Sequence, residues 1–182
     1  MKVISGFLKG RIIKGHDIEG TRPTMDRVKE SVFGSIQNYV RDSAVLDLFS
    51  GSGNLGIEAL SNGAKYVLFN DSNIKCTSSI KENLKNFNVS DKALVLTMDY
   101  KKCLSYILDN NLKFDLIFLD PPYKNKDLND VAKFIYDNDI LKENGLIIFE
   151  VNELYIDIMF YEKIKSKKYG DKFIVIYKNI KK

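Results

Sequence analysis

Asp47-Leu-Phe-Ser-Gly51-Ser-Gly53-Asn-Leu-Gly56 is the stretch from which the rest of the chain is read. It leaves the short apolar run AVLDLF (44–49) and opens NLGIEALSNG (54–63), which reads as a helix with a glycine stop. Strand, glycine-rich turn and helix in that order predict the first unit of a parallel sheet. Each glycine serves a different purpose. Gly51 permits a tight turn, Gly53 lets a ligand approach the backbone, and Gly56 lets helix and strand pack closely.

The same rhythm continues downstream. KYVLFN (65–70), KALVLTMD (92–99), KFDLIFLD (113–120) and NGLIIFEV (144–151, after a turn at Asn144-Gly145) are apolar runs. Between them lie the helical stretches SNIKCTSSIKENLKNFN (72–88), YKKCLSYILDNN (100–111) and LNDVAKFIYDNDIL (128–141). This alternation predicts βαβ units with helices on both faces of the sheet. The ends depart from it. Residues 161–180 alternate around Tyr169-Gly170-Asp171 and predict a closing antiparallel pair. Residues 1–15 predict a small β-hairpin around Gly6–Gly10. Residues 21–40 then predict a helix with Thr24 as N-cap and Val28, Val32, Phe33, Ile36 and Tyr39 on its buried face.

The chain has 182 residues, 45% hydrophobic and 29% charged, with Lys+Arg 28 against Asp+Glu 24. That composition excludes collagen-like, low-complexity and disordered classes. The length predicts one domain over 1–182, with 1–40 as a hairpin-and-helix extension. Cys76 and Cys103 sit in no C-x-x-C pair and His16 is the sole histidine, so no disulfide framework and no metal site are expected. No apolar run spans a membrane. Lys9 and Arg11 interrupt any apolar leader, so a reducing cytoplasm is the expected location. Lysines gather at both ends, in 1–15 and 161–182, around a more acidic middle. This distribution fits either an anionic partner, with nucleic acid first, or a solvated lysine-rich surface.

Asp71 closes the second strand, twenty residues after Gly51. A carboxylate there accepts from both hydroxyls of a ribose, which predicts an adenosine-type cofactor. Asp47 stands at the tip of the first strand, where it would repel a pyrophosphate but suit a cationic amino group. S-adenosylmethionine carries an ammonium, a sulfonium and a ribose, and no phosphate. Asp47 also suits a helix cap, and Asp99 suits either an adenine amino group or the cap of the next helix. Asp120-Pro121-Pro122-Tyr123 ends the fourth strand. Two prolines stiffen that turn and leave Asp120 and the Pro121 carbonyl as acceptors for an exocyclic amine, with Tyr123 placed to stack on an extruded base. A rigid turn alone is the plainer reading of the tetrapeptide.

With DLFSGSGNLG, DPPY and the segment Thr21–Phe33 preceded by SGFLKGRII, the chain resembles the RsmD family. These are bacterial enzymes that methylate N2 of one guanine in small-subunit ribosomal RNA. The resemblance covers almost the whole chain. It implies a Rossmann-like class I methyltransferase: α/β, a mostly parallel seven-stranded sheet with a C-terminal antiparallel strand, and the small N-terminal hairpin and helix. It implies S-adenosylmethionine held by Asp47, Gly51, Gly53, Asp71 and Asp99, and the target amine held by Asp120, Pro121, Pro122 and Tyr123. Lys9, Arg11, Arg22, Thr24 and Arg27 would face RNA, although Arg27 also suits pairing with Glu30 along a helix. The implied partner is small-subunit rRNA within a 30S particle or assembly intermediate, met by a monomer. Where family members often carry a second acid two residues after the ribose-binding one, this chain has Asn73. Adenine-N6 methylation is the alternative chemistry, since it asks for the same two acceptors. A nicotinamide oxidoreductase would use the glycine loop and Asp71 but leaves Asp47 and DPPY unexplained. A non-catalytic RNA-binding module leaves DPPY without a role.

Overall fold

The structure, a computed structural model, describes residues 1–15, 26–121, 128–151, 158–170 and 172–181. A seven-stranded sheet forms the centre: β1 Ala44–Asp47, β2 Tyr66–Asp71, β3 Ala93–Thr97, β4 Phe114–Leu119, β5 Leu141–Val151, β6 Glu162–Tyr169 and β7 Lys172–Lys178. Their order is β3-β2-β1-β4-β5-β7-β6. All neighbours are parallel except those of β7, which runs antiparallel to both β5 and β6. The order reverses between β1 and β4, so the connections leaving their carboxyl ends diverge and open a crevice there.

Period-two alternation of apolar residues builds two cores, one on each face. Val45, Val67, Phe69, Leu116 and Phe118 pack with α1 (Asp26–Val40), α2 (Asn54–Ser61) and α3 (Ile74–Asn86). Leu46, Leu68, Ile117 and Leu119 pack with α4 (Tyr100–Asp109) and α5 (Leu128–Asp137). Cys76 and Cys103 are buried and unbridged, and burial pushes their thiols up to about 11 and about 12, so both are unreactive packing residues. Among the described residues no helix is long and apolar enough to cross a membrane.

Most boundaries follow the sequence to within two residues; the helix expected over 128–141 ends at Asp137, with Asp139 at positive φ and Leu141 already in β5, and a second difference lies in β5 itself. Asn144-Gly145, expected as the turn before a strand, lies inside β5. Asn144 adopts φ 60° and the register against β4 shifts between Phe114 and Leu116. Asn144 donates to the Asn179 carbonyl and Asn179 donates to that of Gly145, so the C-terminal segment ties the irregularity down and the strand continues through it.

The N-terminal hairpin forms as a single antiparallel bridge, Lys2 to Ile12, with the chain reversing through Gly6 and Gly10 at positive φ. Its Val3, Leu8 and Ile13 join the same core as α1 and the sheet. The face of α1 is as expected at Val28, Val32, Phe33 and Ile36, but it also contains Lys29, fully buried. The Lys29 Nζ pairs with Glu58 Oε2 at 2.9 Å and donates to the Lys2 carbonyl at 2.6 Å and to Asn54 Oδ1 at 2.7 Å. Glu58 in turn accepts from the Ile4 and Ser5 amides and from Ser5 Oγ. One ion pair therefore fastens hairpin, α1 and α2 together. Lys29→Met leaves Glu58 buried without its cation and is expected to cost about 3–5 kcal/mol, a fall in Tm of about 10 °C. Adding Glu58→Gln, which keeps an acceptor without the charge, recovers part of it; thermal unfolding of both variants checks this.

Candidate functional site

The carboxyl edge of the sheet is built by a dense set of bonds around the glycine loop. Ser50 donates its amide to the Asn70 carbonyl at 2.9 Å and its hydroxyl to the Asp47 carbonyl at 2.7 Å. The Asn70 amide returns a bond to Ser50 Oγ, and Asn70 Nδ2 reaches the Leu48 carbonyl. Gly51 and Gly53 both take positive φ, the left-handed region that favours glycine. Gly56 is needed for contact: a Cβ there would stand 2.2 Å from the Phe69 ring. Gly53 differs from expectation. The space its side chain would fill is held by Ile80 of α3 at 2.8 Å, so its lack of a Cβ serves packing as well as the turn.

Asp47 is buried at the tip of β1 and its Oδ2 accepts from the Gly56 amide at 3.0 Å, which caps α2 from outside the helix. Burial raises its pKa from 3.8 to about 7; the Gly56 bond opposes this, and the charges of Asp120 and Asp71 add to it. Asp71, half-buried, splits its oxygens: Oδ2 accepts from the Gly51 amide and Oδ1 from that of Asn73, each at 2.8 Å. Each oxygen keeps a second acceptor site. Asn73 itself caps α3 by accepting from the Lys75 amide. Asp99 caps α4 through Oδ1, at the end of β3. Asp120 and Pro121 follow β4, both partly exposed. Three carboxylates thus meet at the crevice, and burial, with the charges of the other two, disfavours the ionised form of Asp47. An ammonium or sulfonium would relieve it, so the residues present fit S-adenosylmethionine.

The described residues bring together Asp47, Gly51, Gly53, Asp71, Asp99, Asp120 and Pro121. Pro122, Tyr123, Arg22 and Thr24 lie outside them. Lys9 and Arg11 are not brought to this edge. The hairpin packs on Ser61, the last residue of α2, and Arg11 spends its guanidinium on the Asn86 carbonyl and the Phe87 ring. Those groups end α3, about 20 Å along the helix from its start at the crevice. Arg27 lies exposed in the first turn of α1. Sequence reasoning missed Ser50, Asn70 and the Phe49–Tyr100 ring pair at 5.5 Å. A polar Asn70 inside the buried run YVLFN was the available signal. Among the described residues no group of three or more His, Cys, Asp or Glu could hold a metal ion.

Parallel sheet with one reversed strand, glycine loop at the switch point, and acids ending β1, β2, β3 and β4 define the class I methyltransferase fold. Within that class the chain belongs to the family described as "Conserved hypothetical protein 95", the RsmD family, whose model matches residues 1–178. A Bacillus subtilis (strain 168) relative named "Putative rRNA methyltransferase YlbH" is 39% identical, covering 98% of each chain. "Ribosomal RNA small subunit methyltransferase D" of Haemophilus influenzae is 36% identical over 84% of this chain and 79% of its own length. The solved "Putative methyltransferase yhhF" from Escherichia coli superposes with TM-score 0.87 at 26% identity, covering 100% of this chain and 99% of that one.

The Asp47 pKa carries a sign. Between about pH 4 and 7 the folded chain holds a proton that the unfolded chain has released, so this group's contribution to stability falls as pH rises through that window. Above pH 7 the penalty for holding Asp47 ionised is on the order of 4 kcal/mol. Asp47→Asn keeps an acceptor for Gly56 without the charge. It is expected to be more stable than the natural chain at pH 8 and equal to it at pH 4, read by urea unfolding at both.

Proposed function

We propose that this chain transfers a methyl group from S-adenosylmethionine to N2 of a guanine in small-subunit rRNA. The observation that carries the reading is the pairing of a cation-seeking crevice, Asp47 with Asp71, with the Asp120-Pro121 acceptors at the adjacent strand end. The relatives' names support rRNA as the substrate class, and the family's DPPY pattern, present here at 120–123, supports an amino nitrogen.

The cofactor supplies a methyl group already activated by the positive charge on sulfur. Asp47 and Asp71 bind it: Asp47 takes the ammonium charge, and Asp71, oriented by the Gly51 and Asn73 amides, receives the ribose hydroxyls. Asp99 has its exposed position at the end of β3 to receive the adenine amino group. Asp120 and the Pro121 carbonyl accept from the two N–H groups of the target amine, which turns the nitrogen lone pair out of conjugation with the base. Orientation of the reacting groups supplies most of the acceleration. The released proton passes to Asp120 or to water. Lys9, Arg11, Arg22, Thr24 and Arg27 supply contacts to RNA, with Lys9 and Arg11 at a distance from the reacting centre. The chain acts as a monomer in the cytoplasm on a 30S particle or its assembly intermediate.

Labelled S-adenosylmethionine, offered with 30S subunits from a strain lacking the gene and followed by nucleoside mass spectrometry, is expected to give one N2-methylguanosine; methyladenosine would overturn the base assignment. Asp120→Asn is expected to lower kcat by at least about a hundredfold while cofactor affinity stays within a few-fold. Because Asp47 must be ionised to receive a cation, calorimetric affinity for S-adenosylmethionine is expected to fall up to tenfold per pH unit below 7.

A further inference from the structure

The lysines of β6 have no part in the site so far. β6 is the outermost strand of the sheet, and Lys163, Lys165, Lys167 and Lys168 lie on it against the single acid Glu162 at its start. Register decides where they stand. Leu119 pairs with Phe149, Phe149 with Val175, and Val175 with Ser166, so these four residues form one row across β4, β5, β7 and β6. One step further along, Asp120 is level with Glu150, Ile174 and Lys167, and Pro121 with Val151, Phe173 and Lys168. β6 runs parallel to β4, so Lys167 and Lys168 stand at the carboxyl edge, level with the acceptors for the target amine. Three strand spacings put them about 14 Å away.

The side chains are placed for an extended anion. Lys167 and Lys168 are exposed, and each places its Nζ over a ring, Tyr169 at 5.2 Å and Phe173 at 5.4 Å. They project from opposite faces of the strand, since Lys167 pairs with Ile174 and Lys168 with Phe173. α1 brings a third cation. Ser31 meets the Tyr169 hydroxyl, and one turn later Ser35 accepts from Lys165 Nζ. α1 and β6 therefore run in opposite directions, and Arg27, one turn before Ser31, projects past Tyr169 to the same edge. Lys172 in the same hairpin is paired with Glu150. Among the described residues, Asp26 and Glu30 are the exposed acids on α1 beside Arg27.

We infer that the carboxyl end of β6, Lys167 and Lys168 with Arg27 of α1, is the surface that holds the RNA phosphate backbone beside the extruded base. The assignment rests on the proposed function for its ligand and adds a surface remote from the cofactor. Phosphate contacts fix register without reading sequence, which suits cations about 14 Å from the base-reading acceptors.

The test compares the full-length chain with Lys167→Ala/Lys168→Ala, with Lys167→Arg/Lys168→Arg, and with the charge-matched Lys113→Ala/Lys178→Ala at the opposite edge of the sheet. Small-subunit RNA binding is read against salt by filter retention, S-adenosylhomocysteine affinity by calorimetry, and KM and kcat by label transfer. The Lys167→Ala/Lys168→Ala chain is expected to bind RNA at least tenfold more weakly, with a salt slope reduced by about 1.5 and a higher KM. Its cofactor affinity is expected to be unchanged. The arginine pair is expected to retain binding and the Lys113/Lys178 pair to match the natural chain. Unchanged RNA affinity and slope in the Lys167/Lys168 alanine variant, or an equal loss in the Lys113/Lys178 variant, overturns the surface and leaves the proposed function standing. RNA binding that depends on Lys167 and Lys168 without any methyl transfer keeps the surface and overturns that function. No RNA binding by the natural chain overturns both.

Discussion

The bond from the Gly56 amide to Asp47 is the constraint on which the crevice depends. It joins the tip of β1 to the first turn of α2 across the glycine loop, and it fixes where a buried carboxylate must sit. A cap of this kind ordinarily comes from the residue just before a helix. Here that position is Gly53, in the left-handed region and without a capping side chain. The duty therefore passes to a strand residue nine positions before the Gly56 amide, and the carboxyl is drawn into the protein. Under the proposed function, helix capping and cation binding fall to one group, using different oxygens or different lone pairs. On that reading the cost of burying it falls on the free chain and a positively charged ligand would relieve it, so that the site stores affinity in a destabilised residue.

The N-terminal segment is held to this crevice by a second buried charge. Lys29 reaches from α1 to Glu58 of α2 and to Asn54, the first residue of α2 after the loop. Replacing such a pair by apolar residues is often neutral or stabilising, whereas breaking it is not. Its value here is in geometry, because a hydrophobic contact at that point would leave the Lys2 carbonyl and the Ile4 and Ser5 amides to find other partners. With it, the hairpin, α1 and the loop-bearing helix move as one body. α1 in turn fixes Arg27 relative to Asp120.

The sheet was legible because apolar runs and helical stretches alternate at regular lengths, and because glycine, proline and aspartate each stand where a strand ends. Seven strands, one reversed, are present as expected. The loop glycines were legible as a set, but the reason for Gly53 was not, since Ile80 approaches it from a helix that sequence cannot bring near. Asp47 and Asp99 each allowed two readings, and both make the helix-capping bond that one of those readings expects. Lys29 was illegible: a lysine in an otherwise amphipathic helix reads as a solvated residue until Glu58 is brought beneath it. Lys9 and Arg11 were grouped with Arg27 by the family resemblance, and the hairpin's attachment to Ser61 places them at the far end of α2 from the glycine loop.

The edge that holds a cationic cofactor must also admit a polyanion, and those demands conflict wherever carboxylates line the entrance. The strand order resolves this by distance. Asp47, Asp71 and Asp99 end the strands on one side of the switch point, and Asp120 stands at it. The lysines of β6 end the strand farthest out on the other side. At physiological ionic strength the screening length is about 8 Å, so a phosphate beside Lys167 feels little of the acids about 14 Å away. On the proposed function only the base itself has to approach Asp120, and it presents neutral N–H donors there, so that carboxylate is met by the part of the substrate that carries no charge.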